Sequence, residues 1–101
     1  MLESMGDDLE KPYLDALPDT YAAEIAIFEW LEFVLARAGF KRTLDVLGYY
    51  REMGWITESV ESALREYMRC CDAPAEATAE LDRSDHVLSL VYVARLASMG
   101  D

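Results

Sequence analysis

The 35 residues from Tyr21 to Trp55, YAAEIAIFEWLEFVLARAGFKRTLDVLGYYREMGW, hold more large apolar side chains than one buried face can take. Apolar positions recur at i, i+3, i+4 and i+7 rather than alternating, so the stretch is helical. Tyr21, Ile25, Phe28, Leu31 and Leu35 form one stripe, and Ile27, Trp30 and Val34 form a second beside it. Phe33 stands further round with Ala22 and Ala26. Glu29, Glu32 and Ala36 are the strip suited to water, and Glu24 intrudes among the apolar positions. A helix that is apolar nearly all round is either central in a core or shared with another chain.

Punctuation along the chain fixes where helices start and stop. Pro18 keeps Leu17 out of helical geometry, and Asp19 or Thr20 then caps a first helix that runs to Ala38 and stops at Gly39. A second helix covers about Lys41 to Met53, with Gly54 as its stop. Thr57 caps a third, with Glu58 and Glu61 at the positive end of its dipole, running to about Cys71. Val60, Leu64, Tyr67 and Cys71 share one face of it. Ser84 is expected to cap a fourth helix, with Asp85 in its first turn and Gly100 closing it. Val87, Leu88, Leu90, Val91, Tyr92, Val93, Ala94 and Leu96 make that helix apolar on most sides, with Ser89 and Arg95 as polar breaks. The fold expected is all-α: a compact small bundle of about four helices. A flexible N-terminal tail over 1–11 precedes a single helical domain over 12–100, and the small-residue linker Asp72 to Leu81 precedes the last helix.

A chain of 101 residues can build one core and little more. Its 20 acidic and 9 basic side chains leave a net charge of −11, and the basic residues are scattered from Lys11 to Arg95. Nucleic acid and anionic membranes would repel such a surface. No run approaches the roughly 20 apolar residues of a membrane span, and Met1 to Glu10 has no signal-peptide core. The expected location is cytoplasmic. The acidity also suits a halophilic interior, where carboxylates hold water and salt screens their repulsion; an acidic domain with a basic partner is the alternative.

The chemistry-bearing residues are sparse. His86 is the single histidine, so a zinc or di-iron site lacks ligands and no cofactor is expected. Ser84, Asp85 and His86 are catalytic residue types, but neighbours on one helical turn cannot take up triad geometry. Glu29 and Glu32 at i and i+3 read as a solvated face before they read as an acid pair. The adjacent Cys70 and Cys71 point one inward and one outward, with no spaced framework for disulfides. Gly48 within the second helix costs about 1 kcal/mol against alanine, for which close helix approach is the usual compensation. The expectation is a protein without enzymatic activity.

Several blocks carry a resemblance: Leu17-Pro18-Asp19, Glu29-Trp30-Leu31-Glu32-Phe33, Tyr49-Tyr50 with Gly54-Trp55-Ile56, and Asp85-His86 with Ser89-Leu90 and Val93. In order and rough spacing the chain resembles the D/E-type domain of archaellum (archaeal flagellum) accessory proteins, the FlaD/FlaE family, from about Pro12 to Ala97. The resemblance implies a non-enzymatic cytosolic subunit of the accessory or switch complex at the archaellum motor base near the membrane. Its implied partners are other accessory subunits of C type and a chemotaxis adaptor protein, with self-association compatible and no membrane insertion. The implied effect is on motor assembly or rotational switching. Family members are often longer, so the chain is expected to be either a stand-alone paralogue or a fragment. The aromatic motif positions and their flanking acids are the candidate partner-binding residues: Glu29, Trp30, Glu32, Phe33, Tyr49, Tyr50, Trp55 and His86. Trp55 doubles as a plug for the turn between two helices. Trp30 and Phe33 point in different directions, so at least one is expected at the surface. The rival readings are a helical adaptor or regulatory domain unrelated to motility, a small DNA-binding domain that the charge disfavours, and an enzyme built on the Glu29 and Glu32 pair.

Overall fold

A computed structural model describes residues 11–71 and 80–99, and these form three helices rather than about four. Helix α1 spans Tyr21–Glu52, α2 spans Glu58–Met68 and α3 spans Arg83–Met99. The difference arises at Gly39. That residue does leave helical geometry (φ 78°, ψ 168°), but the helix resumes at once on the far side, so the first two expected helices are one element with a kink. This region of backbone space is essentially reserved for glycine. The Thr43 hydroxyl donates to the Gly39 carbonyl at 2.7 Å, supplying a partner to a buried acceptor where the backbone leaves the helix.

Local chemistry sets the other ends. The Thr20 hydroxyl accepts from the Ala23 amide at 3.1 Å and the Thr57 hydroxyl from the Val60 amide at 3.2 Å, so both are N-caps. At the end of α1 the Trp55 amide donates to the Tyr50 carbonyl (2.9 Å) and the Gly54 amide to Arg51 (3.0 Å), with Gly54 at φ 83°. This is a Schellman closure, and its usual apolar contact is made by Trp55 stacking on Tyr50 at 4.7 Å. Helix α3 is capped by Asp82, not Ser84. The Asp82 carboxylate accepts from the Asp85 amide while Asp85 accepts from the Asp82 amide, both at 3.0 Å. Such a reciprocal box satisfies two end donors at once, more than the Ser84 hydroxyl could do two residues later. The linker 72–79, the tail 1–10 and Gly100 lie outside the described residues.

α1 is the central beam: α2 and α3 each pack on it and not on one another. Its buried face is Ala23, Ala26, Ile27, Trp30, Leu31, Val34, Leu35 and Ala38, continuing through Val46, Leu47 and Tyr50. Thus the Ile27–Trp30–Val34 stripe is the heart of the core, whereas Tyr21 and Ile25 from the other stripe are exposed. Val60, Leu64 and Met68 are the contribution of α2, and Val93 and Leu96 that of α3. Leu14 in the lead-in is also buried, tied to the 55–57 turn by Leu14 N–H to the Trp55 carbonyl (3.0 Å) and Thr57 N–H to the Leu14 carbonyl (3.3 Å). Gly48 does not mark a close helix approach: a Cβ there would lie 3.5 Å from Glu61 Oε2, an ordinary contact.

Candidate functional site

Three polar ties fasten α3 to α1, and they come from residues 85, 86 and 89, which share one side of the α3 helix. Arg37 Nε donates to Asp85 Oδ2 at 3.0 Å, Trp30 Nε1 donates to Ser89 Oγ at 3.0 Å, and Tyr50 Oη bonds His86 Nδ1 at 2.8 Å. Asp85 and Ser89 are buried, so these bonds sit in a medium where an unmade partner is costly. Rings pack around them: Tyr92 stacks over Trp30 at 6.3 Å, and His86 stands edge-on to Tyr50 at 5.8 Å. Burial pushes the Tyr50 phenol above its ordinary pKa; the Ser89 hydroxyl opposes this, and Asp85 and Tyr49 add to it. Helix α2 has its own fastener. The buried Glu61 accepts from Arg51 Nε at 2.6 Å and from Arg65 Nη2 at 2.8 Å.

The candidate residues fall into separate environments. Trp30 and Tyr50 are both 0% exposed, which leaves another molecule nothing of either ring to touch. Glu29 and Glu32 are exposed. Phe33 is half-buried beneath the Arg37 guanidinium at 5.9 Å, and Trp55 and His86 are half-buried. Tyr49 is 53% exposed. Tyr49, Tyr50, Trp55 and His86 are therefore one cluster, with Tyr49 as its outward member.

Against the outer side of that cluster lies a feature that the motif blocks contain only in part. An apolar groove of about 500 Å³ runs between the end of α1 and the start of α3, lined by Tyr49, Met53, Trp55, Leu81, Val87 and Leu90, with His86, Asp82 and Arg83 at its polar edge. The outer side of α3 continues it: Val87 is 54% and Val91 48% exposed, and Leu88 is exposed as well. The signal for this was the apolar surplus of the last helix. Ser89, the expected polar break, is on the buried side, so the uncovered remainder is Val87, Leu88 and Val91. Arg37, Asp85 and Ser89 carried no sequence signal as partners, because each bond joins residues at least 36 apart. Such a surface can hold an apolar side chain. Among the described residues no three His, Cys, Asp or Glu side chains converge to hold a metal ion, and no helix is long and apolar enough to cross a membrane.

Comparison with known proteins gives the chain relatives. Residues 9–98 match the model of a family described as archaeal flagella protein. The chain is 32% identical over 94 residues to flagella-related protein D of Methanocaldococcus jannaschii, covering 87% of this chain and 28% of that protein. To flagella-related protein D of Methanococcus voltae it is 35% identical, covering 87% and 26%. To flagella-related protein E of the same organism it is 28% identical, covering 82% and 64%. The chain thus spans about a quarter of the D proteins and just under two-thirds of the E protein. No solved structure matches it.

Proposed function

The chain belongs to the archaeal flagella protein family, and from that premise we propose that it is a non-enzymatic, cytosolic subunit of the archaellum accessory or switch complex. In this reading it binds partner proteins, other accessory subunits and a chemotaxis adaptor, and couples chemotaxis signals to motor assembly or rotational switching. The observation that carries the proposal is the extent of the match, which runs from residue 9 to residue 98 and so takes in α1, α2, all of α3 but its last residue, and every interhelix tie described above. The uncovered apolar side of α3 supports it, since contiguous exposed apolar surface on a small domain marks a place where another molecule sits. An acidic surface and the lack of a membrane-crossing helix among the described residues agree with a cytosolic location.

The test is genetic. Deleting the coding sequence in its own host should abolish swimming or leave filaments whose reversals no longer respond to stimuli, and the intact chain should restore both. Normal swimming together with normal reversal responses in the deletion strain would falsify the proposal. A filament that still assembles but turns without regulation would assign the chain to switching rather than to assembly.

A further inference from the structure

The charge around the exposed side of α3 runs against the rest of the molecule. In a chain of net charge −11, α3 carries two arginines, Arg83 and Arg95, against one acid, Asp85. Asp85 is buried and already paired with Arg37, so α3 presents no exposed carboxylate. Arg37, Arg51, Arg65 and Arg69 are all ion-paired with carboxylates of the chain. Arg83 and Arg95 make no ion pair among the described residues: Arg83 lies at the edge of the groove, and Arg95 rests over the Tyr92 ring at 5.5 Å. The acid beside Arg83, Asp82, is engaged in capping the helix. Of the exposed large hydrophobic residues among the described ones, Tyr49, Val87, Leu88 and Val91 belong to the groove and to the helix surface beside it, and only Tyr21 and Ile25 lie elsewhere.

We propose that this surface docks an amphipathic helix from another protein, whose apolar stripe enters the Tyr49–Val87–Leu90 groove and whose flanking carboxylates meet Arg83 and Arg95. The inference rests on the reading of the chain as a partner-binding subunit and names the chemistry of one partner. Charge complementarity selects the occupant. A basic partner is drawn to the molecule as a whole, but on this side it meets Arg83 and Arg95 against the single acid of the groove edge, Asp82, which is engaged in capping α3. A second copy of the chain brings a further net −11 and no exposed carboxylate on its own α3 with which to meet Arg83 and Arg95. An acid-flanked helix covers the apolar strip and neutralises both arginines. The long-range repulsion from the rest of the chain is cut off within about 8 Å at 0.15 M salt.

The probe is a pair of labelled helical peptides of about 20 residues with the same leucine and alanine stripe, flanked by glutamates in one and lysines in the other. Fluorescence anisotropy with the full chain at about 0.15 M salt reads binding. The glutamate peptide should bind and the lysine peptide should not. Val91→Glu, and independently Val87→Glu, should weaken binding about tenfold or more with the melting temperature retained, because both positions are half-exposed. The double change Arg83→Glu and Arg95→Glu should reverse the preference. Failure of both peptides, equal binding of both, or binding indifferent to Val91→Glu overturns the proposal. So does a dimer in light scattering that Val91→Glu dissociates, which would give the surface to a second copy. The assay contains no archaellum component, so its failure leaves the outcome of the deletion experiment standing.

Discussion

Ser89→Ala tests whether the α1–α3 seam is closed to water. The Trp30 indole N–H is fully enclosed, and Ser89 Oγ is its acceptor at 3.0 Å. The substitution removes one oxygen from a site that is itself fully buried, so it opens almost no cavity, and the effect is that of the orphaned donor. A buried N–H left without a partner costs about 1–3 kcal/mol. Against this, alanine is the better helix former by about 0.5 kcal/mol. The central expectation is a loss of about 1.5 kcal/mol, which for a domain of this size lowers the melting midpoint by roughly 6–12 °C. Thermal and urea unfolding followed by far-UV circular dichroism give the number. Trp30→Phe separates the bond from the bulk: the double variant should be more stable than the two single losses predict, by a coupling of about 1 kcal/mol. If Ser89→Ala is as stable as the parent, or more stable, with unfolding still cooperative, the indole reaches water and the seam is not closed.

The same contacts set the other expectations. Glu61→Ala should cost about 1–3 kcal/mol, below the figure for a fully buried pair, because Arg51 and Arg65 are about half-exposed and regain water; denaturant titration beside Arg65→Ala, expected under about 1 kcal/mol, checks this. Two glycines should respond with opposite signs in the same melts: Gly48→Ala stabilises by up to about 1 kcal/mol because its Cβ has room, and Gly39→Ala costs about 1–3 kcal/mol because of its φ of 78°. The folded-state pKa of Tyr50 lies above the unfolded value of 10.0, so its contribution is complete below pH 10.0 and is lost as pH rises beyond it. Melts at pH 8 and pH 11 should therefore fall less for Tyr50→Phe than for the parent. If the acidity is an adaptation to salt, the midpoint should climb steadily from dilute buffer to molar potassium chloride; a flat response would leave a basic partner as its explanation.

How far the fold is legible in the sequence depends on the range of the forces involved. The Thr20 and Thr57 caps and the Gly54 stop are legible because each is settled within five residues by hydrogen bonds that particular side chains or a positive φ demand. The helix count is not, because Gly39 signals a break without saying whether the helix resumes beyond it. Asp82 is hard to see as a cap because its reciprocal partner is an aspartate at the position where glutamate or glutamine usually stands. The stripes of α1 are visible as stripes. Which of them faces the core is decided by where two other helices land, and that is not written into the periodicity of α1. The site divides in the same way. An apolar excess is visible in composition, whereas the assignment of Trp30 and Tyr50 to the interior depends on Ser89 and His86, 59 and 36 residues away.

That division bears on what the family resemblance measures. The blocks that carry it are EWLEF, YY with GWI, and DH with SL. Their residues Trp30, Tyr50, Gly54, Trp55, Asp85, His86 and Ser89 are all taken up by helix closure or by bonds between helices. A chain that keeps these blocks keeps the closure of α1 and the docking of α3 on it, whatever partner it meets. Differences in partner among chains of this type would then have to reside in side chains that the fold does not need: Glu29, Glu32, Tyr49, Val87, Leu88 and Val91, all exposed here. The two sets are separable by experiment, since a change in the first should lower stability and a change in the second should leave it intact. Exchanging the second set alone between this chain and a flagella-related protein E should therefore transfer partner choice without moving the melting temperature. A transfer that requires the first set as well would mean that partners read the shape of the whole bundle and not the exposed side of α3.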